Sequence, residues 1–407
     1  MTATTTSRTP IVDLYDPKTY AERAPHEELA ELRRTQPVYW QDIPDQKGYW
    51  AILKHADVEH VARNPQIFSA SDGGIVLEDM TDERLAGQRE MLLAMDPPRH
   101  RLYRRPLIPS FKQRTMATLE DRIRQICRET FDKNSGRDEV EFVQDVASVL
   151  PTTVTGELFG IPQEDWGYLH HLAELSTRAG DISDDGEVSA DNVSVDMGSY
   201  GFQHAMRRRG QTGTDDLTDV ILSADFGDGH RLSDAEFGAF FIQIFTAGQD
   251  TTQSMVSSGL LALLEHPDQL RALRDDPSGI PLAVEEMLRW VNPLHYFRRT
   301  AVEDTELRGV QIKAGDKVAM MYTSANRDEE VFDNAQAFDV TRKPNRHLSF
   351  GIAEHFCLGV HLARLEGKVF FEELLAAFPR IVQTGQPVRV ASNLNNGLRR
   401  LPVALGK

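Results

Sequence analysis

Hydrophobic and polar positions recur along the chain with two different periods, and these periods predict its elements. From about residue 100 to 290, apolar residues recur every three to four positions, as in amphipathic helices, with polar breaks near 133–138, 180–195 and 209–217. Two earlier helices are predicted over His26–Arg34 and over the sequence HADVEHVARNP, whereas residues 71–95 are irregular. Short runs rich in β-branched and aromatic residues predict strands at Pro37–Trp40, Tyr49–Leu53, Thr305–Val310, Lys317–Met321, Val388–Val390 and Leu401–Ala404. The pattern predicts a mainly α chain with a small β region.

One predicted helix is about three times as long as an average helix. Ser233 and Glu236 have the spacing of a capping box, and apolar residues then continue until His266-Pro267 ends the run. About 33 residues at about 1.5 Å each give a rod of roughly 50 Å. Because this helix is apolar on most sides, we expect it to be buried. Its longest apolar run, Phe237–Gly248, is shorter than the roughly 20 residues that a bilayer span requires.

Composition and charge indicate which kinds of partner and which location to expect for this protein. The chain has 407 residues and a net charge of −17, which argues against nucleic acid as its main partner. Basic residues are nevertheless concentrated in Arg99–Arg114, either as a solvated helix face or as a docking patch for an acidic partner. The N-terminal residues MTATTTSRTPIVDLYDP lack the basic and apolar blocks of a signal peptide, so we expect a cytoplasmic protein without a membrane anchor.

The chain contains two cysteines, Cys127 and Cys357, too few for a disulfide framework or a multi-cysteine zinc site. Cys127 lies at helical spacing from Ile123 and Phe131, which predicts a small residue of the core. Cys357 instead stands between a Phe/Gly-rich loop and a helical sequence, in HLSFGIAEHFCLGVHLARLE. A cysteine at the start of a helix faces backbone N–H groups that favour its thiolate form. This setting suits a thiolate bound to haem iron; a nucleophilic cysteine would also need a positioned histidine, and His355 has no evident reason to face the sulfur.

The long helix carries an unusual hexapeptide, Ala247-Gly248-Gln249-Asp250-Thr251-Thr252. A glycine and two threonines lower helix propensity here, and a carboxylate in an apolar helix requires a partner. The sequence leaves two interpretations open. One is a tolerated kink in which the threonine hydroxyls bond to the preceding turn. The other is a local opening where a small ligand contacts a hydroxyl and the nearby carboxylate supplies protons.

A second charged motif lies in AVEEMLRW. Glu286 and Arg289 share one face of a helix among apolar neighbours, so we expect them to be at least partly buried. Arg342, in FDVTRKP, is a candidate third member of a structural network. The Glu-x-x-Arg motif alone is common by chance.

Taken in order, AGQDTT, EEMLR, FDVTR and FGIAEHFCLG resemble the signature series of the cytochrome P450 superfamily, in its soluble bacterial class. The resemblance extends from MDPPRH at residue 95 to the C-terminus, and the ordered combination of motifs is far more specific than any one of them. It implies the cytochrome P450 fold, a triangular prism with the long helix crossing over haem. It also implies a single domain over residues 1–407, in which we expect about the first 15 residues to be a flexible N-terminus.

The resemblance also assigns roles to residues. Cys357 is the implied ligand of the iron of haem b, and Asp250 and Thr251 match the acid–alcohol pair that delivers protons to iron-bound dioxygen. Glu286, Arg289 and Arg342 match the structural network behind the haem. The remaining implied haem contacts are His100, Arg104, Ala247, Gly248, Arg299, Phe350, His355 and Gly359.

One position departs from the family pattern. The loop usually reads Phe-Gly-x-Gly, whereas this chain has Phe350-Gly351-Ile352-Ala353. If the second glycine has positive φ in relatives, Ala353 is expected to cost about 1 kcal/mol or to shift the loop. We do not expect this departure to abolish haem binding.

The implied chemistry is the activation of O2 with two electrons, followed by hydroxylation of a C–H bond. No reductase sequence is present, so electrons are expected from a separate ferredoxin and an NAD(P)H-dependent ferredoxin reductase. The basic residues Arg104, Arg105, Lys112, Arg114 and Arg364 are candidates for docking that partner. Two alternatives remain: a peroxide-driven peroxygenase, which typically lacks the Asp/Thr pair, and a haem-thiolate sensor, which needs no proton relay.

The substrate is expected to be a hydrophobic small molecule, because most candidate pocket residues are apolar. A sterol, terpenoid or fatty acyl chain is favoured by local phrases such as NPLHYFRRTA, and a natural-product intermediate is nearly as well supported. The candidate residues, taken from their positions in the implied fold, are Ile75, Val76, Leu77, Phe240, Phe241, Ile244, Leu294, His295, Phe297 and Leu394.

Overall fold

The structure is a computed structural model that describes residues 11–178, 190–211 and 213–406. Its α-helices are α1 His26–Thr35, α2 His55–Arg63, α3 Asp82–Arg89, α4 Arg99–Arg104, α5 Gln113–Ala117, α6 Glu120–Asn134, α7 Val149–Leu158, α8 Trp166–Arg178, α9 Ala190–Arg208, α10 Leu217–Ser223, α11 Asp234–Glu265, α12 Pro267–Asp275, α13 Ile280–Val291, α14 Tyr322–Ala325 and α15 Val360–Ala377. Its strands are β1 Val38–Ile43, β2 Gln46–Ile52, β3 Phe68–Ser69, β4 Val140–Glu141, β5 Tyr296–Ala301, β6 Thr305–Leu307, β7 Val310–Ile312, β8 Lys317–Met321, β9 Arg380–Gln383, β10 Val388–Arg389, β11 Leu398–Arg400 and β12 Pro402–Gly406. The prediction of a mainly helical chain with a small β region is confirmed.

Helix α11 lies at the centre of the helical part, in contact with α7, α8, α9, α13 and α15. It has 32 residues, and the predicted capping box is present: Glu236 N–H donates to Ser233 Oγ at 3.2 Å, and Ser233 N–H donates to Glu236 Oε2 at 2.8 Å. Helix α11 ends at Glu265, next to the predicted stop at His266-Pro267, and Pro267 begins α12. The side chains of α11 between Phe237 and Leu263 form much of the main hydrophobic core, which holds the helix in place across the whole helical part.

A five-stranded sheet with the order β1-β2-β8-β5-β3 lies beside the helices. Strand β2 pairs in parallel with β8, and the other pairs are antiparallel. Strand β8 is buried along its whole length, because both faces of the sheet are covered. Val318 and Met320 pack into one hydrophobic cluster, and Ala319 and Met321 pack into another on the opposite face. Neighbouring positions of β5 and β8 therefore serve different sides of the sheet.

Three predictions about the elements are wrong: two concern boundaries, and one strand was missed. The break near 180–195 ends earlier, because α9 begins at Ala190 and places Val193 and Met197 in the core; residues 180–189 of that break lie outside the described residues. The strand predicted over 305–310 is a hairpin of β6 and β7, turned by Arg308 and Gly309 with φ of +52° and +80°. Strand β5 was not predicted, since its sequence YFRRTA contains two adjacent arginines.

The N-terminal region is partly anchored. Residues 1–10 of the expected flexible N-terminus lie outside the described residues. Leu14, by contrast, is buried in a cluster of the sheet, and its N–H donates to Gln41 Oε1 at 2.9 Å. The flexible N-terminus stays a prediction, and Leu14 within it is packed in this cluster. Among the described helices, none is both long and apolar enough to cross a membrane.

Candidate active site

The loop before α15 holds the sulfur of Cys357 against the N-terminus of that helix. Cys357 N–H donates to the Phe350 carbonyl at 2.8 Å, which closes the loop, and Gly359 is the N-cap residue of α15. Burial raises the pKa of the Cys357 thiol, and the Gly359 N–H bonded to the sulfur and the cations of Arg104 and Arg364 act in the opposite direction. On balance the pKa of the thiol is raised, and the Gly359 N–H and the two cations reduce that rise by favouring the thiolate.

Two residues of this loop have left-handed backbone conformations. Gly351 has φ +64° and Ala353 has φ +59°. Ala353 begins a 3-10 turn over Ala353–His355. The alanine that replaces the usual glycine therefore keeps the conformation that glycine favours, at a cost of about 1–2 kcal/mol. The Arg364 guanidinium lies 5.0 Å from the centre of the Phe350 ring and supports the loop from the side of α15.

A second group of side chains brings four predicted residues together beside this loop. The rings of His100 and His355 lie 4.3 Å apart, and electrostatic interactions link both to Arg104 and Arg299. Neither ring nitrogen of His100 has a hydrogen-bond partner, nor does His355 Nε2, although all three atoms are buried. Burial, assisted by Arg104, lowers the pKa of His100 to about 4. Arg299 is also buried and donates to the carbonyl of the neighbouring Arg298 at 2.8 Å.

This cluster of donors lacks an anionic acceptor. Among the described residues, no carboxylate accepts a hydrogen bond from His100, Arg104, Arg299 or His355. Buried polar groups are almost always hydrogen-bonded, and buried cations are almost always paired. The cluster therefore has the character of a binding site for one or more carboxylates.

The predicted network of Glu286, Arg289 and Arg342 lies at the other side of the Cys357 loop and is buried. Arg289 donates to both oxygens of Glu286, at 2.7 and 2.8 Å, and Arg342 Nε donates at 3.1 Å. Arg289 also donates to the carbonyl of Asn326 at 2.9 Å, and Asn326 Oδ1 accepts from the Leu348 N–H at 2.7 Å. The network is thereby connected to the start of the loop that carries Cys357.

The hexapeptide of α11 keeps its α-helical conformation. The Thr251 hydroxyl donates to the Ala247 carbonyl at 2.8 Å. This bond to the preceding turn is the one expected from the first of the two interpretations that the sequence left open. Ala247 is nevertheless the one exposed residue between Phe237 and Leu264, and Gly248, Asp250 and Thr251 are half-buried around it. This turn of the helix therefore borders free space, in contrast to the packed segments on either side.

Comparisons with known proteins agree on one family. The family profile described as Cytochrome P450 matches residues 201–278 and 280–402. A steroid C26-monooxygenase of Mycolicibacterium smegmatis is 36% identical over 401 residues, covering 96% of this chain and 93% of that protein. A methyl-branched lipid omega-hydroxylase of Mycobacterium bovis is 38% identical over 390 residues, covering 92% and 90%. The chain belongs to the cytochrome P450 family. The Mycobacterium marinum cytochrome P450 CYP268A2, solved in complex with pseudoionone, matches with a TM-score of 0.86 at 35% identity, over 93% of this chain and 94% of that chain.

Cytochromes P450 are monooxygenases that contain haem iron and use O2 and redox partners, and the residues present fit that group. Haem carries two propionate carboxylates, which match the unbonded ring nitrogens of His100 and His355 and the buried guanidinium of Arg299, for which no carboxylate acceptor is found among the described residues. Its iron would also need a strong ligand from the protein, which matches the sulfur of Cys357. The free space at Ala247 provides room on the α11 side. Each requirement corresponds to a feature that the protein alone leaves unexplained.

The structure places most of the candidate pocket residues next to one another. Arg298 N–H donates to the Ile75 carbonyl, and His295 N–H donates to the Leu394 carbonyl, at 2.9 and 2.8 Å. These bonds bring three segments together, namely residues 75–77, 294–297 and 394. Ile75 is buried, Val76, Leu294 and Phe297 are half-buried within this group, and Ile244 of α11 is half-buried as well.

Four candidates occupy packing positions instead. Phe241 is fully buried among the rings of Phe159, Tyr200 and Phe245. Phe240 packs against Tyr103 and Phe226, Leu77 lies in the sheet cluster with Tyr296, and His295 bonds Thr323 Oγ1 at 2.8 Å with the Tyr20 ring against it. These four side chains are buried against protein neighbours, and their role in the pocket stays a prediction.

Two buried polar contacts of α11 were not predicted from the sequence. The Thr252 hydroxyl donates to Glu366 Oε2 at 3.2 Å, and burial raises the pKa of Glu366 to about 8. Gln249 Nε2 donates to His170 Nδ1 at 2.6 Å and so joins α11 to α8. The signal for Glu366 was present, because it lies four residues after Leu362 on the inner face of α15. His170 had no such signal, since its partner is 79 residues away.

Proposed function

We propose that this cytochrome P450 hydroxylates an extended apolar substrate of the steroid or branched-lipid class. The proposed cofactor is haem b, bound through Cys357. The observation that carries the proposal is the cluster of His100, Arg299 and His355, which has no carboxylate acceptor among the described residues and lies beside a cysteine whose sulfur accepts an N–H bond at the start of α15. The substrate class is supported by relatives named for steroid and methyl-branched lipid oxidation. The apolar candidates Ile75, Val76, Ile244, Leu294 and Phe297 suit such substrates.

Bound haem iron supplies the one-electron chemistry that activates O2 and inserts one oxygen atom into a C–H bond. The Cys357 sulfur would hold the group as a thiolate, with Arg104 and the Gly359 N–H favouring its charged form. The Arg299 guanidinium would neutralise propionate charge, and the ring nitrogens of His100 and His355 that have no protein partner would bond and orient the carboxylates. Phe350 belongs to the same loop, and its ring is held by Arg364. The Glu286 network supports the same loop through Asn326.

Proton delivery is proposed for Asp250 and Thr251. Asp250 is half-buried and precedes Thr251 in the same turn of α11. The Thr251 hydroxyl donates to the Ala247 carbonyl, and its oxygen retains lone pairs that accept a proton from the solvent side. Rotation of this hydroxyl redirects its proton from the carbonyl toward the free space at Ala247. The pair thus provides a hydroxyl whose proton is replaced by a neighbouring acid.

The electron donor is proposed to be a ferredoxin reduced by an NAD(P)H-dependent reductase, in the cytoplasm. Of the five basic residues predicted for docking, Arg105, Lys112 and Arg114 are exposed, and no carboxylate partner for them is found among the described contacts. Arg104 is half-buried, and Arg364 is paired with Glu285 at 2.7 Å. The exposed apolar residues Leu102, Ile108 and Phe356 belong to the same stretches of chain. A surface that combines these apolar residues with cations lacking a carboxylate partner among the described contacts suits the acidic face of a small electron carrier.

The test of the proposed function uses the purified haem-loaded protein. Cholestenone and a methyl-branched fatty acid are titrated while the main haem absorption band is recorded. Turnover is then assayed with NAD(P)H, ferredoxin and reductase, and separately with hydrogen peroxide. The proposal predicts a shift of the band with at least one ligand, and hydroxylated product with the redox partners at a rate above that with peroxide. Product with peroxide but none with the redox partners would contradict the proposed electron route. The absence of any band shift across both ligand classes would contradict the substrate class.

A further inference from the structure

Two buried cations of the five-stranded sheet are directed at the backbone of one loop. Arg298 of β5 and Lys317 of β8 are only 4% and 2% exposed. Lys317 Nζ donates to the Leu77 carbonyl at 2.9 Å, and Arg298 Nη1 donates to the Val76 carbonyl at 3.2 Å. The Arg298 backbone N–H donates to the Ile75 carbonyl at 2.9 Å. Three consecutive carbonyls of the loop are thus bound by two residues of the sheet. We refer to residues 73–79 as the clamped segment.

The clamped segment also supplies the carboxylate that offsets these buried charges. Asp79 lies 2.8 Å from Lys317 Nζ and 4.0 Å from Arg298 Nη1, and its side chain is 53% exposed. Removing a cation from water is costly unless it is paired or hydrogen-bonded. Here both cations depend on the same seven residues for their carbonyl and carboxylate acceptors. The sheet and the clamped segment therefore stabilise each other.

The start of the clamped segment is shaped to receive the guanidinium. Gly73 has φ +79°, and a Cβ at this position would lie 2.2 Å from Arg298 Nη2. A larger residue would be strained and would also displace the arginine. Just before the segment, Asp96 Oδ1 accepts from the Ala70 N–H at 2.8 Å. The Asp96 carbonyl accepts from the His100 N–H at 2.9 Å, which connects this anchor to the carboxylate-binding cluster.

Adjacent arginines of β5 serve opposite sides of the sheet. Arg299 is directed to His100 and His355, whereas Arg298 is directed to the clamped segment. The clamped segment contains three candidate pocket residues. Leu77 is buried in the sheet cluster, whereas Ile75 and Val76 are not part of that cluster. One strand consequently fixes the cofactor-binding cluster and one candidate wall of the substrate pocket at the same time.

We propose that Arg298 and Lys317 are positioning residues that hold the clamped segment as a rigid wall of the substrate pocket and so determine which large ligands bind. This inference rests on the proposed function, because it requires that Ile75 and Val76 face the substrate. It does not require any particular substrate. Neither residue contacts the cofactor cluster through its side chain, so the proposal separates large-ligand recognition from haem binding.

The test compares a small and a large ligand of haem iron in the haem-loaded protein. Imidazole reaches only the iron, whereas clotrimazole also fills the pocket. In Arg298→Gln and in Gly73→Ala, we expect the Kd of clotrimazole to rise about tenfold, the equivalent of about 1.4 kcal/mol. The Kd of imidazole and the haem content are expected to stay within about twofold of wild type, a difference of about 0.4 kcal/mol. Arg298→Lys keeps the charge and is expected to recover part of the clotrimazole affinity.

The matched control is Gly309→Ala. Gly309 has φ +80°, nearly the same strain, but a Cβ there meets no atom within 4 Å. We expect this variant to bind both azoles as wild type does. Equal losses for imidazole and clotrimazole would overturn the proposal, because they would indicate general damage. Unchanged clotrimazole binding in Arg298→Gln and Gly73→Ala would overturn it as well.

Hydrogen exchange of the amides in residues 73–79 gives a readout without any haem ligand. Exchange is expected to accelerate in Arg298→Gln and Gly73→Ala and to stay unchanged in Gly309→Ala. Unchanged exchange in the first two variants would contradict the clamp even if the protein bound no haem. Failure of the proposed function would appear differently, as an absent haem spectrum or an absent band shift in the wild type.

Discussion

Replacing Glu286 by glutamine removes the one carboxylate shared by two buried arginines. Glu286 and Arg289 have fully buried side chains, and the Arg342 side chain is 7% exposed. The carboxylate accepts hydrogen bonds from both arginines and, in addition, from the Asp339 N–H at 2.8 Å and Asn345 Nδ2 at 3.1 Å. In Glu286→Gln one acceptor oxygen becomes an NH2 group that faces other donors, and the negative charge is lost.

The expected loss of stability follows from what remains. Arg289 still has the carbonyls of Asn326, Ala335 and Ala337, so its hydrogen bonds are partly kept. The charge of both guanidiniums, however, is no longer balanced in a buried site. Breaking a buried ion pair by removing one partner costs about 3–5 kcal/mol. We expect Glu286→Gln to lower the free energy of unfolding by this amount, and haem binding to weaken because the Cys357 loop loses its support.

The assay is equilibrium unfolding in urea, followed by far-ultraviolet circular dichroism, with refolding checked. Haem content is measured in each sample, because a bound cofactor adds to the apparent stability. Asp268→Asn is the matched control, since Asp268 and Arg271 form an ion pair with the same three-residue spacing but side chains 86% and 68% exposed. An exposed pair contributes about 0–1 kcal/mol, so this variant is expected to unfold nearly as wild type does. A loss below about 1 kcal/mol in Glu286→Gln would refute the reasoning from burial.

Three further outcomes are expected. Because burial raises the pKa of Glu366 from 4.5 to about 8, the folded state holds an extra proton between those values; unfolding free energy then falls with pH by up to about 1.4 kcal/mol per unit. In Glu366→Gln this contribution to the pH dependence should be absent. The free energy of unfolding in urea is measured between about pH 5 and pH 8. Equal slopes against pH in wild type and Glu366→Gln would contradict the raised pKa. Ala353→Gly should leave stability unchanged or raise it by up to about 1 kcal/mol, whereas Ala272→Gly, inside α12, should lower it by about 1 kcal/mol in the same assay. A marked loss in Ala353→Gly would contradict the strain assigned to φ +59°. Electron transfer from ferredoxin should slow as salt rises, and less steeply in Lys112→Gln/Arg114→Gln; stopped-flow rates that do not depend on salt would exclude the docking patch.

The parts of the fold that could be predicted are those that local patterns determine. The apolar period and the capping residues Ser233 and Glu236 gave α11 nearly its exact length, because a helix satisfies its backbone within itself. Strand β5 was missed for the opposite reason. Its arginines face two different sides of a sheet that is covered on both faces, so they do not produce the alternation of a half-buried strand.

In the candidate site too, the residues in local motifs could be predicted and their distant partners could not. Cys357, Glu286 and Asp250 were recognisable because each lies in a short motif. The partners that give these residues their environment come from distant parts of the chain. Arg298 is joined to a loop 222 residues away, and Gln249 to a histidine 79 residues away. Arg298 and Arg299 are chemically identical neighbours, and only the pairing of β5 with β8 determines which of them faces the cofactor cluster.

The central claim is that the sulfur of Cys357 binds haem iron as a thiolate. The most direct measurement is the absorption spectrum of the dithionite-reduced protein under carbon monoxide, for wild type, Cys357→Ala and Cys127→Ala. Cys127 is the other cysteine and is buried in the helical core, so it controls for the loss of a thiol. We expect a thiolate-type carbon monoxide band in wild type and Cys127→Ala and its loss in Cys357→Ala. A thiolate-type band that persists in Cys357→Ala would contradict the claim.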